Sequence, residues 1–75
     1  MKIHDQYDGV YFVYCPDRAD LTGRAYIKRQ MKAVAPGWPM SHIKITRHPY
    51  WADCFGIAFN KKSSEHELIF KMAFT

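Results

Sequence analysis

The first run of apolar positions lies at residues 8–15, where β-branched and aromatic residues follow a glycine and precede Pro16. Such a composition predicts a strand. With a period of two, Val10, Phe12 and Tyr14 would lie on one face, and Tyr11 and Val13 on the other. Because both faces are apolar, we expect this strand to be covered on both faces or to expose a binding face.

Two later segments alternate apolar residues with polar or small ones. Residues 42–47 and 54–59 both follow the period of a half-buried strand. Their apolar positions are Ile43, Ile45, Phe55, Ile57 and Phe59. Gly56 and Ala58 would occupy the other face of the last strand, so three strands are predicted in total.

A helical pattern separates the first strand from the second. Gly23, Ile27, Met31 and Val34 fall on one stripe at the helical period. Asp17 or Asp20 is the predicted N-terminal cap. We expect the helix to end before Pro36, because proline disfavours helical geometry in the preceding residue.

The C-terminal segment, residues 67–74, fits two patterns. Its apolar residues alternate as in a strand, yet they also form one broad helical face. Ser64 and Glu67 have the spacing of a capping box, which favours a helix that Ser64 caps. A C-terminal strand remains the alternative.

The predicted element order is βαββα, which indicates an α+β fold with both helices on one face of an antiparallel sheet. The sheet would be ferredoxin-like but lack a fourth strand. The first strand would then lie at a sheet edge, where unpaired backbone groups favour a homodimer or strand pairing with a partner.

Length and composition narrow the class of protein. The 75 residues allow one domain, 1–75, and 48% hydrophobic residues predict a packed core. Without a signal peptide or an apolar run long enough to span a bilayer, we expect a cytoplasmic protein with no membrane partner. Cys15 and Cys54 lack the spacing of a metal site or disulfide framework, and we expect two buried, inert thiols.

No cofactor, metal or catalytic site is predicted. Paired carboxylates, glycine-rich phosphate loops and Ser-His-Asp patterns are missing from the sequence. We therefore expect a protein that binds and does not catalyse. Its aromatic loop supplies the best candidate surface, since aromatic residues on loops often anchor interfaces. The expected partner-binding residues are Arg47, His48, Tyr50 and Trp51, and the alternative for Trp51 is that its ring folds back onto the small core.

The net charge of +4 favours an acidic partner. Phe55-Gly56-Ile57-Ala58-Phe59 resembles the ribonucleoprotein motif of RNA-recognition domains, although Phe55 takes the motif's basic position and Ile57 its first aromatic position. Single-stranded nucleic acid is therefore the alternative partner, bound by an open sheet face and a basic helix. The residues expected for that function are Arg24, Lys28, Arg29, Lys32 and Phe59. The alternative for Phe59, as for Phe55 and Ile57, is a core position under the helices, and the alternative for the four charges is a solvated helix face.

The chain opens with Met-Lys, contains many aromatic residues and ends in Phe-Lys-Met-Ala-Phe after Ser-Ser-Glu-His-Glu. This pattern resembles that of short bacteriophage-encoded accessory proteins. It implies a stoichiometric inhibitor or modulator in the host cytoplasm that occludes a surface of a host protein complex, such as defence or transcription machinery. Anti-CRISPR proteins are one example of this type.

Overall fold

The computed structural model describes residues 1–15 and 23–75, which form four strands and two helices. In chain order these are β1 (Ile3–Tyr7), β2 (Val10–Tyr14), α1 (Gly23–Val34), β3 (Ile43–Arg47), β4 (Cys54–Phe59) and α2 (Ser64–Phe74). The strands form one antiparallel sheet in the order β1-β2-β4-β3. A small α+β fold is confirmed, but the predicted three-stranded ferredoxin-like sheet is replaced by a four-stranded one.

The additional strand comes from a hairpin at the start of the chain. Asp8 and Gly9 form its two-residue turn with φ values of 52° and 76°. A two-residue turn with positive φ at both positions matches the twist of the strands that it joins. The predicted first strand therefore begins at Val10, after the turn, and the element order is ββαββα.

The hairpin also changes the position of the predicted first strand. As β2, this strand pairs with β1 on one side and with β4 on the other. Its backbone groups are used in both ladders, so the expectation that it forms an open edge was wrong. The sheet edges are β1 and β3, and the homodimer that we expected from an open first strand loses its structural basis.

Both helices cover the same face of the sheet. Tyr11, Val13, Phe55 and Ile57 face them and are buried. The helical side of this core consists of Ile27, Met31, Phe70 and Phe74. In the part of the chain that the structure describes, no helix covers the other face, which we call the open face.

The predicted stripe of α1 is largely confirmed. Ile27 and Met31 are buried, and the ring of Phe55 occupies the space that a side chain at Gly23 would fill. Val34, at the end of the stripe, is mostly outside the core. Trp38 follows the helix and donates an Nε1–H hydrogen bond to the carbonyl of Met31, so it packs against the helix end. The predicted caps Asp17 and Asp20 lie outside the described residues.

The C-terminal segment is a helix, so the strand alternative was wrong. Its predicted cap is shifted, however, because a 3-10 turn at Lys61–Ser63 leads directly into α2. Ser64 already has helical φ and ψ values of −58° and −35°, which a capping residue does not have. Ser63 takes the cap position without a side-chain capping bond. The predicted capping box is therefore not formed.

Candidate binding surface on the open sheet face

Register across the sheet determines which side chains are neighbours on the open face. Phe12 of β2 lies opposite Gly56 of β4, which lies opposite Thr46 of β3. Tyr14 lies opposite Cys54 in the next row of the same face. On this face, two rings of β2 therefore lie beside small or polar residues of β3 and β4.

A group of six rings lies on and beside this face, and we call it the ring cluster. His48, directly after β3, contacts Phe12 with ring centroids 5.6 Å apart. Trp51 stacks on His48 at 4.9 Å, with the ring planes 15° apart. The cluster consists of four rings in contact through His48, namely Phe12, His48, Tyr50 and Trp51, and of the neighbouring pair His4 and Tyr14.

Small residues of β4 let the rings lie close to the sheet. At Gly56, a Cβ atom would approach Cγ1 of Val10 to 2.9 Å and Cε1 of Phe12 to 3.5 Å. The first distance is shorter than van der Waals contact allows, so a larger residue would displace its neighbours. Glycine at this position therefore supports the arrangement of Phe12 on the open face.

The aromatic loop between β3 and β4 is held by its own hydrogen bonds. His48 Nδ1 accepts bonds from the backbone N–H groups of Tyr50 (3.1 Å) and Trp51 (3.3 Å). The N–H of Cys54 donates to the carbonyl of Trp51 at 3.0 Å, and a guanidinium nitrogen of Arg47 donates to the carbonyl of Ala52 at 2.6 Å. These bonds fix a loop whose two large rings remain exposed, 86% for Tyr50 and 57% for Trp51.

Three of the four predicted partner-binding residues lie together. His48, Tyr50 and Trp51 belong to the ring cluster, whereas Arg47 lies on the helix-covered side of β3. Its guanidinium carbon is 4.9 Å from the centroid of the Phe55 ring. Arg47 therefore supports the loop through its bond to Ala52 and does not contribute a charge to the open face.

The residues predicted for nucleic-acid binding are divided between the two sides of the sheet. The basic residues of α1 are exposed on the helix side; they are Arg24, Lys28, Arg29 and Lys32. Phe59 lies on the helix-covered face, where it contacts Tyr11 at 6.0 Å and Phe70 at 5.4 Å between centroids. The expectation of Phe59 as a stacking ring on the open face is therefore corrected, and the alternative, a core position under the helices, is confirmed.

Sequence reasoning did not name three members of the ring cluster as site residues. Phe12 and Tyr14 lie on the open face of β2, and His4 of β1 contacts Tyr14 edge to face at 4.7 Å. The apolar character of both faces of β2 was the sequence feature that indicated them. His4 could not be found in this way, because β1 itself was not predicted.

The two cysteines are free thiols buried within the fold. Burial raises the pKa of the Cys15 thiol to about 11, the N-terminal charge opposing this shift, and burial also raises the pKa of Cys54. The protonated thiol is a poor nucleophile and a poor metal ligand. Within residues 1–15 and 23–75, no group of three or more His, Cys, Asp or Glu side chains is placed to hold a metal ion.

Comparison with protein-family models, with curated proteins and with solved structures finds no significant match to this chain. Among the described residues, neither helix has the length and apolar character needed to cross a bilayer. A proposal for the function therefore rests on the ring cluster and the charges around it.

Proposed function

We propose that this chain is a non-enzymatic binding protein that docks the ring cluster of its open face on a partner protein. In this role it inhibits or modulates the partner by occluding a surface, in the manner of the phage accessory proteins that it resembles. The observation that carries the proposal is the geometry of Trp51, whose ring is held flat against His48 while more than half of its surface stays exposed.

The chemistry of the open face supports a protein partner. The centres of protein interfaces are rich in tyrosine and tryptophan and poor in charged residues. Here Asp5 lies in the row of Phe12, and Lys44 lies in the row of Val10 at the β3 edge. The rings themselves neighbour Gly56, Thr46 and Cys54, so the charges lie toward the edge strands.

The hydrogen bonds of the aromatic loop support a preformed surface. Binding becomes weaker when a loop or a side chain must first be ordered. The bonds from Tyr50 and Trp51 to His48 Nδ1 order this loop before any partner arrives. They also occupy Nδ1 of the His48 imidazole, so this nitrogen is not available as a general base.

Affinity capture from bacterial lysate tests the proposal. The bait is the wild-type chain or the Tyr50→Ala, Trp51→Ala double variant, each with and without nuclease. A matched control is the Leu68→Ala, Met72→Ala variant, which removes two exposed apolar side chains from α2 on the other side of the sheet. We expect the same protein to be captured by the wild type and by the control, with or without nuclease, and to be lost with the ring variant.

Two outcomes would contradict this site. Loss of capture only in the α2 control would move the interface to that helix. Loss of capture after nuclease treatment would show that nucleic acid mediates the interaction.

Single-stranded nucleic acid is the second candidate partner, and one observation favours it. The parallel Trp51 and His48 rings form a stack that an unpaired base can extend, and base stacking on aromatic rings is a common mode of binding single strands. The basic residues of α1 lie on the other side of the sheet. We therefore expect binding of labelled single strands to be weak, insensitive to sequence and steeply reduced by salt.

A further inference from the structure

β3 is an edge strand, and β4 is its only strand partner in the described part of the chain. Hydrogen bonds mark both ends of their ladder. The Asn60 N–H donates to the His42 carbonyl at 2.9 Å, and the His48 N–H donates to the Cys54 carbonyl at 2.8 Å. These two bonds determine the phase of the ladder, that is, which residue pairs between them are hydrogen-bonded to each other.

In an antiparallel ladder, hydrogen-bonded pairs alternate with pairs that are not bonded to each other. Lys44 and Thr46 are in phase with the bonded pairs at the two ends, so their N–H and C=O groups point toward β4. Ile43 and Ile45 are out of phase, so their backbone groups do not point toward β4. The N–H of Ile43 donates to the Met40 carbonyl, so the β3 edge offers the carbonyl of Ile43 and the N–H and C=O groups of Ile45.

A basic groove runs along the same edge, between β3 and α1. Its volume is about 290 Å³. The lining residues are Arg24, Lys28, Met40, Ile43, Lys44 and Ile45. No acidic residue lines the groove. The side chain of Lys44 belongs to the open face, so Arg24 and Lys28 are the charges on the helix side that select for an anionic ligand.

We propose that the β3 edge binds an extended acidic segment of a partner protein as a fifth strand of the sheet. The segment pairs its backbone with Ile45 and with the carbonyl of Ile43, and it places carboxylates near Arg24 and Lys28. Strand addition of this kind takes its affinity from main-chain hydrogen bonds and its specificity from side-chain pockets. The site is independent of the ring cluster, which lies on the open face and in the β3–β4 loop.

Two other occupants fit the edge less well. A nucleic-acid strand supplies phosphates for the cations but has no alternating N–H and C=O groups for the ladder. A second copy of this chain supplies a ladder, but it brings its own Arg24 and Lys28 against the same two cations. An acidic peptide strand satisfies both the backbone groups and the charges.

The first test uses fluorescent peptides and the unmodified protein. A short peptide of alternating Glu and Val is compared with alternating Lys and Val, with alternating Glu and Pro, and with labelled oligothymidylate. The Glu-Pro peptide keeps the charge, but proline removes the N–H of every second residue and fixes its φ at about −65°, so the peptide does not form a regular strand. We expect the Glu-Val peptide to bind most tightly. Equal binding of the Glu-Pro peptide, or tighter binding of oligothymidylate, would overturn the proposal.

Amide hydrogen exchange measured by NMR gives a readout that needs no variant. Addition of the Glu-Val peptide should slow exchange at Ile45, whose N–H group faces the edge. Lys44 and Thr46 should be protected with or without the peptide, because their N–H groups face β4. If exchange at Ile45 is unchanged at saturating peptide, strand addition at this edge is excluded.

Charge reversal on α1 tests the groove. Lys28→Glu should weaken binding of the Glu-Val peptide about fivefold or more, as expected for replacing an attractive charge by a repulsive one. Arg29→Glu is the matched control, because adjacent helical residues point in different directions and Arg29 does not line the groove. Equal effects of both variants would mean that only net charge is sensed, and the assignment of the groove would fail.

Discussion

The phenolic hydroxyl of Tyr11 donates a 2.7 Å hydrogen bond to Oε2 of Glu67 and so joins the centre of the sheet to α2. Tyr11 is 1% exposed. Burial raises its pKa to about 12, and the hydrogen bond to Glu67 and the charge of that carboxylate act in the same direction. Glu67 thus takes part in packing α2 against the sheet in place of the predicted capping box.

This bond predicts a loss of stability at alkaline pH. An unfolded tyrosine ionises near pH 10 and the folded Tyr11 near pH 12, so its contribution is fully present below pH 10 and is lost as the pH rises toward 12. Tyr11→Phe should remove this part of the pH dependence and should cost about 1 kcal/mol at neutral pH. Urea denaturation of both proteins across this range measures the effect. Identical pH profiles would contradict the assignment.

Close packing of α1 on the sheet predicts that Gly23→Ala destabilises the protein. Alanine favours helices over glycine by about 1 kcal/mol, but its Cβ would overlap the ring of Phe55. Overpacking of this kind typically costs about 1–3 kcal/mol. Gly37→Ala is the control, since no atom lies within 4 Å of the added carbon. A more stable Gly23→Ala variant in urea denaturation would show that the helix can move away from the ring.

The hairpin turn predicts a different response at Gly9. Its φ of 76° is strained for any residue with a side chain, so Gly9→Ala should lower the free energy of unfolding by about 1 kcal/mol or more. Asp8→Asn should be tolerated, because asparagine adopts positive φ at least as readily as aspartate. Thermal melting of the two variants beside wild type measures the difference. Equal melting temperatures for Gly9→Ala and wild type would contradict this turn.

The exposure of the ring cluster predicts that its loop contributes little to folding. Tyr50→Ala should change the free energy of unfolding by less than about 0.5 kcal/mol. Trp51→Ala should cost about 1 kcal/mol, because it loses the stacked contact with His48. Phe70→Ala, in the core, should cost about 3–5 kcal/mol. If the Trp51 variant melts as far below wild type as the Phe70 variant, the Trp51 ring belongs to the core.

The elements that could be predicted from sequence are those with one buried face. Ile43 and Ile45 alternate with polar residues because only one side of β3 meets the helices. Ile27 and Met31 recur at the helical period for the same reason. In both elements the spacing of the apolar residues follows from which side is buried, so the element can be recognised in a single sequence.

β1 was not predicted, because it is an exposed edge strand and therefore contains few apolar residues. After Ile3, its residues are His4, Asp5, Gln6 and Tyr7, all exposed. The Asp8-Gly9 pair was nevertheless a recognisable hairpin turn. An Asp-Gly turn of this kind predicts a strand on each side of it, although residues 3–7 have few apolar residues.

The candidate site was only partly predictable. The exposure of Tyr50 and Trp51 was expected from their loop, but the contact between Phe12 and His48 depends on strand order and register. Those are set by pairing between distant segments, which local patterns do not encode. The same limit applies to Phe59, whose alternation was predicted but whose face depends on where the helices pack.

The register shift between Ile3 and Asp5 makes the two sheet edges unequal. A bulge of this kind interrupts an edge and hinders the pairing of a further strand, whereas β3 keeps an unbroken register along its whole length. The sheet consequently has one edge with an unbroken register at which a further strand can pair. After a strand joins at β3, the remaining edge is β1, which is regular only from Asp5 to Tyr7, so growth of a fibre from that edge is hindered.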